Sequence, residues 1–201
     1  MNIAVYSGSF NPLHIGHLAI IRHMIEVAGF DMVYLIVSPK NPLKDGISSD
    51  SGRERYKAAV EAVERRFLRS GLSASGRNDS KASEARVKVD AIELNMPEPH
   101  YTIRTLDALK EREPDNRFTL VMGADNLADI RRWRDYARIL KEFGVAVFPR
   151  EGHDLTEIKQ DLLKEDPAYM IQILDAEMVD ISSTQIREAI ARGEDISHCL
   201  M

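Results

Sequence analysis

The sequence predicts an α/β protein built on a doubly wound, mostly parallel sheet. Three observations carry that prediction. Short apolar runs of β-forming residues recur along the chain: Ile3-Ala4-Val5-Tyr6, Met32 to Val37, Phe118 to Met122 and Val145 to Phe148. Stretches with apolar residues at three- and four-residue steps separate them. The first strand, helix and strand together fit in about 37 residues, a βαβ unit that implies parallel pairing with a right-handed crossover.

Each element follows from local pattern. After the first run, Gly8 and Asn11-Pro12 break the backbone. From about Gly16, Leu18, Ile21, Ile25 and Ala28 form a helical stripe that ends at Gly29. Residues 45–52, DGISSDSG, read as a mobile loop, and residues 53–69 as a helix with Tyr56, Val60, Val63 and Phe67 on one face. Residues 70–85 are rich in Ser, Gly and Ala and read as a second mobile loop. Val87, Val89, Ala91 and Ile92 form a weak strand candidate. Tyr101-Thr102 opens a helix with Ile103, Leu106 and Leu109 inward. The strand Phe118 to Met122 stops at Gly123-Ala124-Asp125. A helix pair is expected through Leu127, Ile130, Trp133, Tyr136, Ile139 and Leu140. Glu157 to Lys164 is helical, Tyr169 to Leu174 and Glu177 to Val179 are strand candidates, and Asp180 to Arg187 enters a last helix that runs through Ile190. No repeat and no domain boundary is visible, so residues 1–201 read as one domain.

Composition narrows the function. With 27 Lys and Arg against 32 Asp and Glu, the net charge is −5. That argues against a nucleic-acid binder, which carries a basic surface. No apolar run approaches membrane-span length. The start, MNIAVYSGSF, lacks the basic region and long apolar core of a secretory signal. Cys199 is the single cysteine, so a reducing, cytoplasmic setting is expected. The oligomeric state stays open, a homo-oligomer included.

The chemistry-bearing residues cluster at predicted strand ends and helix starts. His14 and His17 straddle Gly16 where the first helix begins. Free N–H groups and the dipole make such a start attractive to phosphate, and both imidazoles could reach one phosphate chain. No third metal ligand follows at a usual spacing. Lys40 and Lys44 follow the second strand and so lie on the same sheet edge. Ser182, Ser183 and Thr184 are N-cap candidates for the last helix. With Arg187 one turn in, they make a second phosphate-binding start. Asp125 is either a turn residue or an acceptor for ribose hydroxyls. Trp133, the only tryptophan, is either a packing aromatic or, beside Arg131, Arg132 and Arg134, a stacking platform for a planar anionic ring.

These residues carry a family resemblance. SGSFNPLHIGH and ISSTQIR resemble the two signatures of the HxGH nucleotidyltransferase superfamily. SPKNPLK, YTIRTL, GADNLADIRRW and VFPR resemble, in order, the bacterial nicotinate-nucleotide adenylyltransferase branch. Residues 70–85 are longer and blander than in that branch, and the tail that some members carry is lacking. Neither departure touches the signatures.

The resemblance implies a Rossmann-like nucleotidyltransferase fold and a reaction. The phosphate of nicotinate mononucleotide attacks the α-phosphorus of ATP, giving nicotinate adenine dinucleotide and pyrophosphate in NAD biosynthesis, without a covalent intermediate. It implies that Gly8, Ser9 and Phe10 line the ATP and that His14 and His17 hold its phosphates. Ser183 and Arg187 would grip the β- and γ-phosphates, with Thr184 in support. Gly123 and Asp125 would meet the ribose, and Ile181 the adenine. Lys40 and Lys44 would cover the phosphates or the acceptor, and Thr102 and Trp133 would form the nicotinate pocket. Mg²⁺ would arrive with ATP, held by few protein ligands. The alternatives are a nicotinamide mononucleotide or phosphopantetheine acceptor, or a non-catalytic nucleotide sensor.

Overall fold

The computed structural model describes residues 1–39, 52–68, 86–176 and 183–201. Six strands form one sheet in the order β3-β2-β1-β4-β5-β6. They are β1 (Asn2–Gly8), β2 (Met32–Val37), β3 (Val87–Asp90), β4 (Arg117–Gly123), β5 (Val145–Phe148) and β6 (Ile171–Ile173). Every neighbouring pair is parallel, with Val5 beside both Tyr34 and Leu120. The sheet is therefore wholly parallel within the described strands.

Alternation along the strands divides the core into two layers. Ile3 and Val5 face one side, with Tyr34, Ile36, Leu120 and Met122. There they meet α3 (Thr102–Arg112), α4 (Ala124–Ala128) and α6 (Leu155–Glu165) through Leu106, Leu127 and Leu162. Ala4 and Tyr6 face the other side, with Val33, Leu35 and Val121. There they meet α1 (Ile15–Glu26) and α2 (Gly52–Val63) through Ile21, Met24 and Ala59. With both faces covered, β2 and β5 are apolar throughout, whereas the edge strands β3 and β6 carry Lys88, Asp90 and Gln172.

Several expectations shift by a few residues. The third strand ends at Asp90, and Ile92–Asn95 turn into a 3₁₀ segment. The second helix starts at Gly52, inside the expected loop. It buries Arg55, Ala59, Ala62 and Val63, and leaves Tyr56 and Phe67 half-buried against the core. The expected helix pair after β4 is broken into α4, a 3₁₀ turn at Ile130–Arg132, α5 (Tyr136–Arg138) and a π turn at Ile139–Phe143. Asp135 interrupts it at φ 53°, a left-handed conformation that Asp tolerates better than most residues. The last strand is Ile171–Ile173 only. The strand candidate at 177–179, the loop at 70–85 and residues 45–51 lie outside the described residues.

The strand order reverses between β1 and β4. From the end of β1 the chain passes to the α1 layer, and from the end of β4 to the α4 layer. A crevice opens at such a switch point, beyond the carboxyl ends of the strands. Leu120 lies at the centre of the sheet, 2 % exposed. Leu120→Ala should cost about 3 kcal/mol of stability, read from the urea midpoint at unchanged slope.

Candidate active site

At the β1 side of the crevice the backbone is held in an unusual shape. Phe10 has φ 44° and is buried. Non-glycine residues adopt that conformation mainly where the surroundings enforce it. Here an aromatic cluster does so: Tyr6 meets Phe10 edge-on at 5.5 Å, and Phe148 lies 6.2 Å from Tyr6. A side chain at Gly8 would come within 3.2 Å of the Phe10 ring.

His14 caps α1 with extended backbone, and its N–H donates to His17 Nδ1 at 3.2 Å. That bond makes Nδ1 an acceptor, so the neutral His17 ring carries its proton on Nε2. The two imidazole centroids are 3.8 Å apart, and Phe10 meets His17 edge-on at 5.3 Å. Nδ1 of His14 is buried without a hydrogen-bond partner among the described residues. Loss of hydration and the nearby Arg150 guanidinium lower the His14 pKa to about 4. Loss of hydration, His14 and Arg150 lower that of His17 to about 3. Pushed this low, both rings are neutral at pH 7, and each keeps one N–H available to donate.

The β4 side adds a charged pair. Asp125, in the first turn of α4, meets Arg150 at 3.5 Å, and Arg150 also lies over the Phe148 ring at 5.7 Å. A Cβ at Gly123 would stand 2.5 Å from Asp125 Oδ1 and 3.1 Å from Arg150 Nε. Glycine is the residue that leaves this pair room.

The last helix, α7 (Ser183–Ala191), lands on the same corner. Ser183 Oγ donates to the Pro12 carbonyl at 3.4 Å. Arg187 donates to the Asn11 carbonyl and to Thr184 Oγ1, each at 2.9 Å. Leu200 forms a bridge with His14, and Met201 is buried in the same apolar cluster as Tyr6, Phe10 and Leu13. The structure thus brings together Gly8, Phe10, His14, His17, Ser183, Thr184 and Arg187 around one turn. Ser9 follows β1 directly, and Gly123 and Asp125 join through Arg150 and Phe148.

Thr102 opens α3 half-buried, one residue from Tyr101. Tyr101 and residues 131–137 line an open groove of about 560 Å³. Trp133 is half-buried there and packs against the core. Its arginine neighbours are paired: Arg131 with Glu165, Arg132 with Asp129 and Arg134 with Asp135. Arg134 also lies over the Tyr101 ring at 5.9 Å. Lys40, Lys44, Ile181 and Ser182 lie outside the described residues. Among the described residues no group of three or more His, Cys, Asp or Glu side chains is placed to hold a metal ion.

Arg150 is the site residue that sequence reasoning passed over. Its signal was its place directly after a strand, on the edge that carries the histidines.

Comparison with known proteins agrees with this geometry. Residues 5–189 match the cytidylyltransferase-like family. A protein of Flavobacterium johnsoniae named as a probable nicotinate-nucleotide adenylyltransferase is 35% identical over 200 residues, 100% of this chain and 92% of its own. One of the same name from Bacteroides fragilis is 34% identical over 98% of this chain and 85% of its own. The solved Plasmodium falciparum nicotinic acid mononucleotide adenylyltransferase complexed with NaAD shares the fold. Its TM-score is 0.72 at 20% identity, over 98% of this chain and 87% of that one.

Both imidazole pKa values lie below the ordinary 6.5, so the unfolded chain binds more protons in the window between. Their contribution to stability is fully present above pH 6.5 and is lost as pH falls through the folded values. In Arg150→Met both imidazoles should titrate higher by NMR yet stay below 6.5, because burial is the larger cause.

Proposed function

Because the chain belongs to the cytidylyltransferase-like family and, within it, to the nicotinate-nucleotide adenylyltransferases, we propose that it joins ATP and nicotinate mononucleotide at the β1–β4 crevice. The products are nicotinate adenine dinucleotide and pyrophosphate. The reaction class, nucleotidyl transfer in NAD biosynthesis, is that of the family. The observation that carries the assignment to this crevice is the docking of α7 on the histidine turn through Ser183 and Arg187. Two helix N-termini, two neutral imidazoles and a guanidinium then surround one volume suited to a triphosphate.

The chemistry asks for position and charge stabilisation. A phosphate oxygen of the acceptor forms a bond to the α-phosphorus while the bond from that phosphorus to the bridging oxygen of pyrophosphate breaks. The acceptor phosphate has a second pKa of about 6, so it is ionised at pH 7 and needs no general base. Imidazoles with pKa values of about 3 and 4 suit that case, since they are poor bases and good neutral donors. His17 would donate from Nε2 to the α-phosphate, and the unsatisfied ring nitrogen of His14 marks a second contact. Arg187, Ser183 and Thr184 would hold the β- and γ-phosphates as the leaving group gains charge. Asp125 would exchange its pairing with Arg150 for ribose hydroxyls, where Gly123 leaves space. Lys40 and Lys44 would cover the phosphates or the acceptor, and the backbone at Ser9 and Ile181 would meet ATP and adenine.

The groove beside Trp133 suits a flat pyridine ring, with Thr102 at the start of α3 close by. The corner's donors are imidazole, hydroxyl and guanidinium, which suit phosphate oxygens and not a hard cation. Mg²⁺ therefore has no protein cage among the described residues and would come on the phosphates and water. No helix among the described residues is long and apolar enough to cross a membrane, and a cytoplasmic enzyme is the setting we assign.

Pyrophosphate release from ATP is expected with nicotinate mononucleotide, at lower kcat/KM with the amide. His17→Ala should lower kcat on the order of 100-fold. Arg187→Ala should raise the KM for ATP while the Tm moves by only a few degrees, since Arg187 is exposed. Near-wild-type kinetics in either folded variant would contradict the assignment.

A further inference from the structure

Beside the corner lies a buried polar system that the proposed mechanism does not use. Ser38, just past β2, is its centre. Its N–H donates to the Gly8 carbonyl at 2.9 Å. Its carbonyl accepts from Arg55 Nη1 at 2.8 Å. Its hydroxyl donates to Glu93 Oε2 at 2.5 Å. Arg55 reaches two further carbonyls, Ser9 at 2.7 Å and Pro39 at 2.8 Å. Glu93 Oε1 accepts from Thr105 Oγ1 on α3 at 2.8 Å. Arg55 is 4 % exposed, Glu93 3 % and Thr105 1 %.

A buried guanidinium and a buried glutamate are costly unless hydrogen bonds compensate them; here three carbonyls accept from the Arg55 Nη atoms and two hydroxyls donate to Glu93, and such networks fix geometry. Packing beside the network is close. A Cβ at Gly52, the first residue of α2, would stand 2.8 Å from Leu94 and 3.2 Å from Pro39. The ends of the network are informative. Gly8 and Ser9 belong to the loop assigned to ATP. Thr105 lies one turn from Thr102, on the helix assigned to the acceptor.

Resting on the reading of the two nucleotide subsites above, we propose that this network couples the ATP loop to the acceptor helix, with Arg55 and Glu93 as positioning residues. In-line transfer needs the two nucleotides placed relative to each other to well under an ångström, and small displacements cost rate steeply. Ser38 joins the two halves: its backbone is held by the ATP loop and Arg55, its side chain by Glu93. A change at the Thr105 end is therefore felt at Ser9.

Thr105→Val tests this, because it is close to isosteric and distant along the network from the ATP loop. The KM for ATP should rise about threefold or more, together with the KM for the acceptor. Arg55→Lys should lower kcat about tenfold or more in a protein that still melts cooperatively. A Thr105→Val enzyme that shifts only the acceptor KM would overturn the proposal, since a merely structural role at α3 predicts that outcome. Ser38→Ala replaces Thr105→Val if the latter does not fold, with the same expectation. Hydrogen exchange without nucleotide gives an independent readout: the amides of Ser9, Phe10, Asn11 and Leu13 should exchange several-fold faster in Thr105→Val, and unchanged rates would overturn the coupling. If wild-type protein released no pyrophosphate, the functional reading would fail, and exchange would still decide whether the two segments are tied.

Discussion

Two hydrogen bonds, Arg187 to the Asn11 carbonyl and Ser183 to the Pro12 carbonyl, close the last long helix onto the first turn of the chain. The partners are 176 and 171 residues apart in sequence. The site therefore exists only once the sheet has formed and brought both ends to one edge. The parallel order β3-β2-β1-β4-β5-β6 makes that possible, because its reversal puts the ends of β1 and β4 side by side with helices leaving to opposite faces. The closure brings two helix starts, those of α1 and α7, to one region.

The corner is built from conflicting local demands. Phe10 holds a left-handed backbone, Gly123 faces a crowded carboxylate, and a buried ring nitrogen of His14 has no partner among the described residues. Burial first, with the Arg150 guanidinium, disfavours protonation of both imidazoles, and the adjacent His14 adds to the effect at His17. Such features are expected where the fold is arranged for a ligand in place of its own stability. In the proposed site, neutral donors would complement phosphate while Arg150 and Arg187 supply the positive charge. Tyr6 and Phe10 pack against the His17 ring, and Phe148 backs Tyr6.

How much of this was legible in the sequence depended on which signal each residue carries. The central strands and α1, α3 and α7 were readable because their apolar spacing is regular. The histidine pair was readable because a strand, a turn and a helix start surround it. The segment after β4 was misread because apolar residues at helical spacing run through it, while Asp135 breaks the helix with a left-handed turn. Arg55 was missed because charged residues in a helical stretch ordinarily mark the solvated face, and Glu93 because it follows a weak strand candidate with no pattern that would bury it. Arg55 did carry a signal: it shares a face with Ala59 and Ala62 at four- and seven-residue steps, which made it the odd member of a buried stripe. Arg150 was missed because the charge it presents to the histidines comes from a separate strand end, a neighbourhood that tertiary structure alone creates. For Lys40, Lys44 and Ile181 the sequence reading stands by itself, since they lie outside the described residues.

The central claim is that the histidine turn and the start of α7 form a single phosphate site. ATP titrated into the protein, followed by NMR of the His14 and His17 imidazoles and the Arg187 guanidinium, tests it directly. The account predicts that all three sets of resonances shift along one curve with one Kd. Movement of one set alone, or of the sets with different Kd values, would contradict it.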